Sequence, residues 1–224
     1  MSSATRTKDR LLSVAEELFA EHGFERTSMR TLTTAAGANL AAVNYHFGSK
    51  EGLYRAVFER RVGPINQERL RLLAEAQAAA GDDPVPIEVL LEALLGPPLR
   101  LSARGDEGFL RFLRIVARMQ SSSGEHAFAV RDVFQEVQRR FFPALHRCLP
   151  HLEERDLFWR MHLIIGGMLT LFGDPARLGV FSDGRCDGRD ADEALAQLVA
   201  FARGALEAPP AASPASAPTK VETA

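Results

Sequence analysis

Apolar residues recur at helical spacing from the start of the chain. Between Arg6 and His22, the residues Leu11, Leu12, Val14, Ala15, Leu18 and Phe19 follow the 3.6-residue period, and Gly23 stands where that helix would stop. Thr27 or Ser28 can cap a second, short helix reaching about Ala36, after which Gly37 leaves only a few residues before the next candidate cap, Asn39. A third helix is predicted over about Leu40–His46, with Val43 and Phe47 four apart and directed to a core. Ser49 then caps a long helix in which Glu51 suits the positive end of the dipole and Pro64 predicts a kink. Beyond the turn-forming GDDPVP at 81–86, helical runs are predicted at about Ile87–Leu95, Gly108–Gln120, Glu125–Cys148, Glu153–Gly173 and Asp190–Leu206. Pro97 and Pro98, the SSSG at 121–124, Pro150 and the FSDGRCDGRD loop supply the breaks. No segment alternates with period two, so an all-α chain of about nine helices is expected.

Composition narrows this picture. A chain of 224 residues, 46% of them hydrophobic, is long enough to bury a sizeable core. The most apolar run, Leu157 to Phe172, is interrupted by Arg160 and His162 and reads as a buried helix; no membrane partner is expected. Two cysteines, Cys148 and Cys186, make no disulfide framework, and the first residues lack the apolar run of a secretory signal, so a reducing cytoplasm is the expected compartment. Net charge is only −2, which excludes a uniformly basic nucleic-acid coat protein. Placement matters more, because residues 1–62 sum to +2 and the remainder to −4. That sign favours the first three helices as the part that faces a polyanion.

Two short helices joined by a tight glycine turn have the dimensions of a helix-turn-helix, although a helical hairpin that merely packs has the same spacing. Surface chemistry tilts the balance: Asn39, Asn44, Tyr45, His46 and Lys50 lie on or just beside the third helix, a polar set that a packing-only helix has little use for. Asn39 itself reads first as an N-cap. Arg6 and Lys8 are placed on an arm before the first helix, either reaching a minor groove or phosphate or simply solvated.

The run GFERTSMRTLTTAAGANLAAVNYHFGSKEGLYRAVF, residues 23–58, resembles the DNA-binding region of the TetR/AcrR family of transcriptional regulators. The resemblance rests on the phenylalanine and Thr-Ser start, the Ala-Ala-Gly turn and the Tyr-His-Phe-x-Ser-Lys-Glu end. It implies an all-helical homodimer that binds a near-palindromic double-stranded operator, most often represses, and releases DNA when an effector binds a variable C-terminal domain. Residue by residue, it implies phosphate contacts from Thr27, Tyr45, His46 and Lys50, all hydrogen-bond donors. Base reading falls to Leu40, Ala41 and Asn44 at the exposed start of the third helix, with Arg30 able to fork onto guanine and Asn44 to pair with adenine. The family commonly has Gly-Thr, an aliphatic residue and an aromatic where this chain has Ala41, Ala42, Val43 and Asn44, so the operator sequence does not carry over.

The C-terminal half is rich in large apolar residues. In GFLRFLRIVARMQ, Phe109, Phe112, Leu113, Val116 and Met119 take core spacing while Arg111, Arg114 and Arg118 fall near a second face. These arginines read either as solvated partners of acids or as an anchor for an anionic ligand head. An effector pocket is expected to involve Phe112, Arg114, Met119, Phe134, Trp159 and His162; His162 alone reads equally as a hydrogen-bonded core histidine. The stretch LFWRMHLIIGG, with NLAAVNYHFGSK, is also similar to a fatty-acid-responsive subgroup of the family, which implies a long-chain fatty acid or acyl-CoA as effector; a hydrophobic drug or aromatic compound is the rival. Helix 153–173, apolar nearly all round, and helix 190–206 are expected to form a four-helix dimer seam with their copies, or else a central intramolecular helix.

No G-x-S-x-G, Walker A, dinucleotide glycine fingerprint or H-E-x-x-H is present, so no enzyme, cofactor or metal site is expected. The acidic run from Asp183 fails as an EF-hand because Arg185 occupies its third position. The expected organisation is a DNA-binding domain at 1–60, a helical effector-binding and dimerisation domain at 61–207, and a Pro/Ala/Ser-rich disordered tail at 208–224. The alternative of another class is a helical acyl-binding carrier that does not act on DNA.

Overall fold

The computed structural model describes residues 3–120, 129–173 and 175–210. Ten helices and no strand are found among the described residues: α1 (Ser3–Arg26), α2 (Met29–Ala35), α3 (Leu40–Phe47), α4 (Lys50–Ala80), α5 (Ile87–Ala103), α6 (Glu107–Gln120), α7 (Arg131–Cys148), α8 (Glu154–Gly173), α9 (Pro175–Phe181) and α10 (Ala191–Glu207). The break expected at 121–124, the first residues of the helix expected at 125–148, and residues 211–224 of the expected tail lie outside the described residues.

Local chemistry sets the helix starts. Ser28 accepts from Thr31 N at 3.0 Å, Asn39 Oδ1 from Ala42 N at 2.9 Å and Ser49 from Gly52 N at 3.1 Å, so α2, α3 and α4 each begin on a side-chain cap. Asp190 does the same for α10, accepting from Asp192 N and Glu193 N. Gly23 interrupts α1 with a φ of 81°, a left-handed conformation that a β-carbon disfavours, so the sequence signal for a stop survives as a break within a longer element. The expected arm is corrected here: Arg6 and Lys8 sit, exposed, inside α1 and not on a flexible lead.

Two prolines expected to end α5 do not. The helix runs from Ile87 through Pro97 and Pro98 to Ala103. Pro98 has no N–H for the carbonyl four residues back, Leu94, and that oxygen is taken instead by Arg69 Nε of α4 at 2.8 Å. A tertiary donor replaces the lost helical one. Pro64 likewise lies inside a single continuous α4. The seven-residue α9 falls where no helix is expected from the pattern.

The molecule has two apolar cores that share helices. The first joins Leu11, Ala15 and Phe19 of α1, Leu32, Val43, and Leu53, Tyr54, Val57 and Phe58 of α4 to Phe109, Phe112 and Ile115 of α6. Phe19, Tyr54 and Phe58 are completely or almost completely buried and meet edge-on or tilted at 5.1 and 5.0 Å. The second core gathers Leu90, Leu91 and Leu95 of α5, Phe141 and Leu145 of α7, Leu157, Met161 and Ile164 of α8, and Leu195, Ala202 and Leu206 of α10 around Leu73. Helix α4 contributes to both. No described helix is long and apolar enough to cross a membrane.

Candidate nucleic-acid interface and apolar cavity

Helices α2 and α3 stand on the first core through Leu32 and Val43, both fully buried. This leaves Leu40, Ala41, Asn44 and Tyr45 of α3 and Arg30 of α2 exposed, Tyr45 at 82%. Positions 40, 41, 44 and 45 share one side of the helix. His46 is half-buried and meets the Tyr45 ring edge-on at 5.0 Å. Arg10 of α1, which the sequence pattern did not single out, donates from Nη2 to Gly37 O at 3.1 Å and ties the turn to α1.

The corner between α3 and α4 depends on Gly52. A β-carbon there would lie 2.0 Å from Phe47 O, so only glycine lets the two helices approach as they do. Lys50, half-buried at the start of α4, places its ammonium 4.1 Å over the Phe24 ring. Burial lowers its pKa, opposed by the carboxylates of Glu25 and Glu51. The Glu51 carboxyl is held below its ordinary range by backbone and Ser49 hydrogen bonds.

Thr27 requires a correction. Its side chain is 1% exposed, and the hydroxyl donates to Gly23 O at 2.8 Å, with Leu18 O at 3.3 Å. A hydroxyl committed to the α1 break has no free donor for a phosphate. Burial, which residue type alone does not reveal, decides its role.

Between the two cores lies a cavity of about 970 Å³. Its wall takes Phe58, Val62 and Ile65 from α4, Leu94, Leu95 and Pro98 from α5, and Phe109, Phe112, Leu113, Val116 and Met119 from α6. Phe134, Val137, Phe141 and Phe142 of α7 and Phe158, Trp159, Met161, His162 and Met168 of α8 close it. Of the expected effector residues, Phe112, Met119, Phe134, Trp159 and His162 line this space. Arg114 is corrected: it lies exposed on another face of α6, off the wall. Trp159 and His162 are exposed at the rim. The charged residues of the wall are Arg69, Arg131 and Arg155, none of which the pattern suggested.

Helix α6 turns its other face to α1. Arg111 pairs with Glu17 at 3.2 Å, while Arg118 donates to Ala20 O at 3.0 Å and Glu21 O at 2.9 Å, close to the Gly23 break. The arginine stripe therefore joins the two parts of the chain, neither wholly solvated nor ligand-facing. A buried carboxylate reinforces the joint: Glu16, fully buried, receives the fork of Arg61 at 2.6 and 3.0 Å and a further hydrogen bond from Arg60. Arg61 also approaches Asp106, just before α6, at 3.6 Å.

Helices α8, α9 and α10 expose Phe158, Trp159, Leu163, Leu178, Val180, Phe181 and Phe201. Among the described residues no group of three or more His, Cys, Asp or Glu could hold a metal ion. Cys148 and Cys186 are free thiols, and burial pushes the Cys148 pKa up.

Comparison with known proteins places these features in a group. Residues 11–57 match the family model described as bacterial regulatory proteins, tetR family, and residues 92–205 match the tetracyclin repressor-like C-terminal domain. The HTH-type transcriptional repressor NicS of Pseudomonas putida is 35% identical over 69 residues, covering 31% of this chain and 32% of that protein. The HTH-type transcriptional regulator AcrR of Shigella flexneri is 31% identical over 93 residues, 41% of each chain. The matches thus span only 32% and 41% of these curated relatives' own lengths. Among solved structures, native NalD, the secondary repressor of the MexAB-OprM multidrug efflux pump in Pseudomonas aeruginosa, superposes with a TM-score of 0.61 at 21% identity, over 89% of this chain and 98% of that one. The fatty acid degradation regulator FadR from Bacillus halodurans does so with a TM-score of 0.58 at 18% identity, over 86% and 94%. At these identities the likeness is one of fold.

Proposed function

The chain belongs to the tetR family of bacterial regulatory proteins, DNA-binding regulators and not enzymes, and from that premise we propose that it is a dimeric, ligand-responsive transcriptional repressor. Residues 1–60 read an operator, and residues 61–207 bind an apolar or amphipathic effector and dimerise. The single observation that carries this reading is the position of α6, whose apolar face walls the cavity while its arginine face grips α1.

The reading head follows from its exposed chemistry. Asn44 pairs with adenine and Arg30 with guanine in the major groove, Leu40 and Ala41 give apolar contact to base edges, and Tyr45 and His46 in the last turn of α3 and Lys50 at the capped start of α4 donate to phosphates. Two copies related by a two-fold axis read half-sites about 34 Å apart. The exposed apolar surface of α8 and α10 supports those helices as the dimer seam.

The effector works through differential affinity. A molecule that fills the cavity displaces α6, α6 carries α1 with it through Arg111 and Arg118, and the two heads lose their match to successive major grooves. A ligand that bound both states equally would shift nothing. The long apolar wall, and the likeness to a fatty acid degradation regulator, support a long-chain fatty acid or its acyl-CoA as the effector class.

Selection of sheared genomic DNA by the purified protein at near-physiological salt, followed by sequencing, tests the function. One enriched near-palindrome is the expected result. Retention without enrichment would reduce the binding to electrostatics and favour an acyl carrier instead.

A further inference from the structure

Arg69 is a cation buried in the wall of the cavity with no described carboxylate in ion-pair distance. The residue is 7% exposed. Its Nε donates to Leu94 O, the carbonyl left open by Pro98, and its Nη1 donates to Asn66 Oδ1 at 3.0 Å. Asn66, also buried, donates through Nδ2 to Val133 O at 2.7 Å, so the guanidinium is held by a chain of hydrogen bonds spanning α4, α5 and α7. The outer edge of the fork, Nη2, has no hydrogen-bond partner among the described residues and is not among the sealed, unpartnered atoms. Arg69 lines the cavity, where a bound molecule can supply a partner for that edge.

An isolated buried charge is costly, and a cavity is where a ligand can supply the missing partner. Burial lowers the Arg69 pKa to about 10, so the group stays cationic at neutral pH while poorly solvated. Among the described residues no carboxylate lines the cavity, and the other charged wall residues, Arg131 and Arg155, are also cationic. The described wall charges therefore share one sign.

We propose that Arg69 is the head-group anchor of the cavity, and that the effector is an apolar molecule bearing a free carboxylate which Arg69 Nη2 receives, with the hydrocarbon lying against Phe109, Phe112 and Phe141. This rests on the effector reading above and sharpens it, because a thioester offers no negative charge at that point of the chain. A free acid is selected over its coenzyme A ester and over the matching alcohol.

Trp159 is the one tryptophan of the sequence and lines the same cavity, so its fluorescence reports occupancy directly. Titration of the full-length protein with decanoate and laurate should show binding on the order of 30-fold tighter, or more, than with decanol and dodecanol. Lauroyl-CoA should bind more weakly than laurate. In Arg69→Gln, which keeps a donor near Leu94 O, the preference of acid over alcohol should collapse while alcohol binding persists. Should that variant fail to fold, the acid-to-alcohol ratio of the native protein decides alone. Equal binding of acid and alcohol would overturn the anchor and leave the apolar effector site standing, as would tighter binding of lauroyl-CoA. Binding of none of them would overturn the effector reading and the anchor with it.

Discussion

The reading head and the C-terminal body solve opposite problems with the same helical vocabulary. In the head, short helices start on side-chain caps and close over a filled core of Phe19, Tyr54 and Phe58, leaving a polar face outward. In the body, longer helices line a cavity of about 970 Å³ and expose Phe158, Trp159, Leu163 and Phe201. The head is internally complete, and its specificity is carried on the surface. The body carries apolar surface both inside and out, and under the proposed function a ligand and a second copy cover it. Apolar volume of this kind costs stability, and binding of a ligand would offset that cost.

This contrast can be broken by substitution. The largest effect belongs to the filled core: Phe19→Ala, at a fully buried ring, should cost about 3–5 kcal/mol in denaturant unfolding. A loss below about 1 kcal/mol would mean the head is as loosely filled as the body. Glu16→Gln comes next, since it leaves Arg60 and Arg61 facing a neutral group. The cost should approach about 3 kcal/mol, moderated by the partial exposure of both arginines, and appears as a lower urea midpoint. Asn44→Ala should leave folding intact and lose about 1–3 kcal/mol of operator affinity, with relaxed selectivity at one base pair; its companion Lys50→Ala should weaken all DNA sequences alike and lower the salt slope by about 1. An unchanged affinity for Lys50→Ala across a salt series would remove that residue from the phosphate contacts. Smallest is Trp159→Ala on the exposed rim, expected within about 0.5 kcal/mol in the monomer's own unfolding.

The same division governs what the sequence discloses. Ser28, Asn39 and Ser49 were legible because a cap is a contact between residues three apart, written in one short string. The residues 23–58 carry enough such local constraints to identify the head. Thr27 misled because its hydroxyl faces inward, a fact set by how α1 breaks at Gly23. In α6 the period separated apolar from basic positions correctly, yet it does not say which basic residue meets a neighbour: Arg111 and Arg118 reach α1, and Arg114 reaches neither α1 carbonyls nor the cavity. Arg69 was invisible for a related reason. Its partners are Asn66, one turn away, and Leu94, 25 residues away, whose carbonyl is open only because the helix continues through two prolines that ordinarily end one. A local rule overridden by a distant side chain leaves no local trace.

Helix α4 has 31 residues, and it passes unbroken from the cap at Ser49, through the cavity wall at Phe58, Val62 and Ile65, to Arg69. At 1.5 Å per residue, the 15 rises from Lys50 to Ile65 make a rod about 22 Å long. Mechanically it is a lever with its fulcrum at the cavity, and a tilt of about 5° there sweeps its far end through roughly 2 Å, given that rigid length. That travel is comparable to a hydrogen bond's whole tolerance, so a displacement too small to reorganise the body is large enough to misalign a side chain against a base.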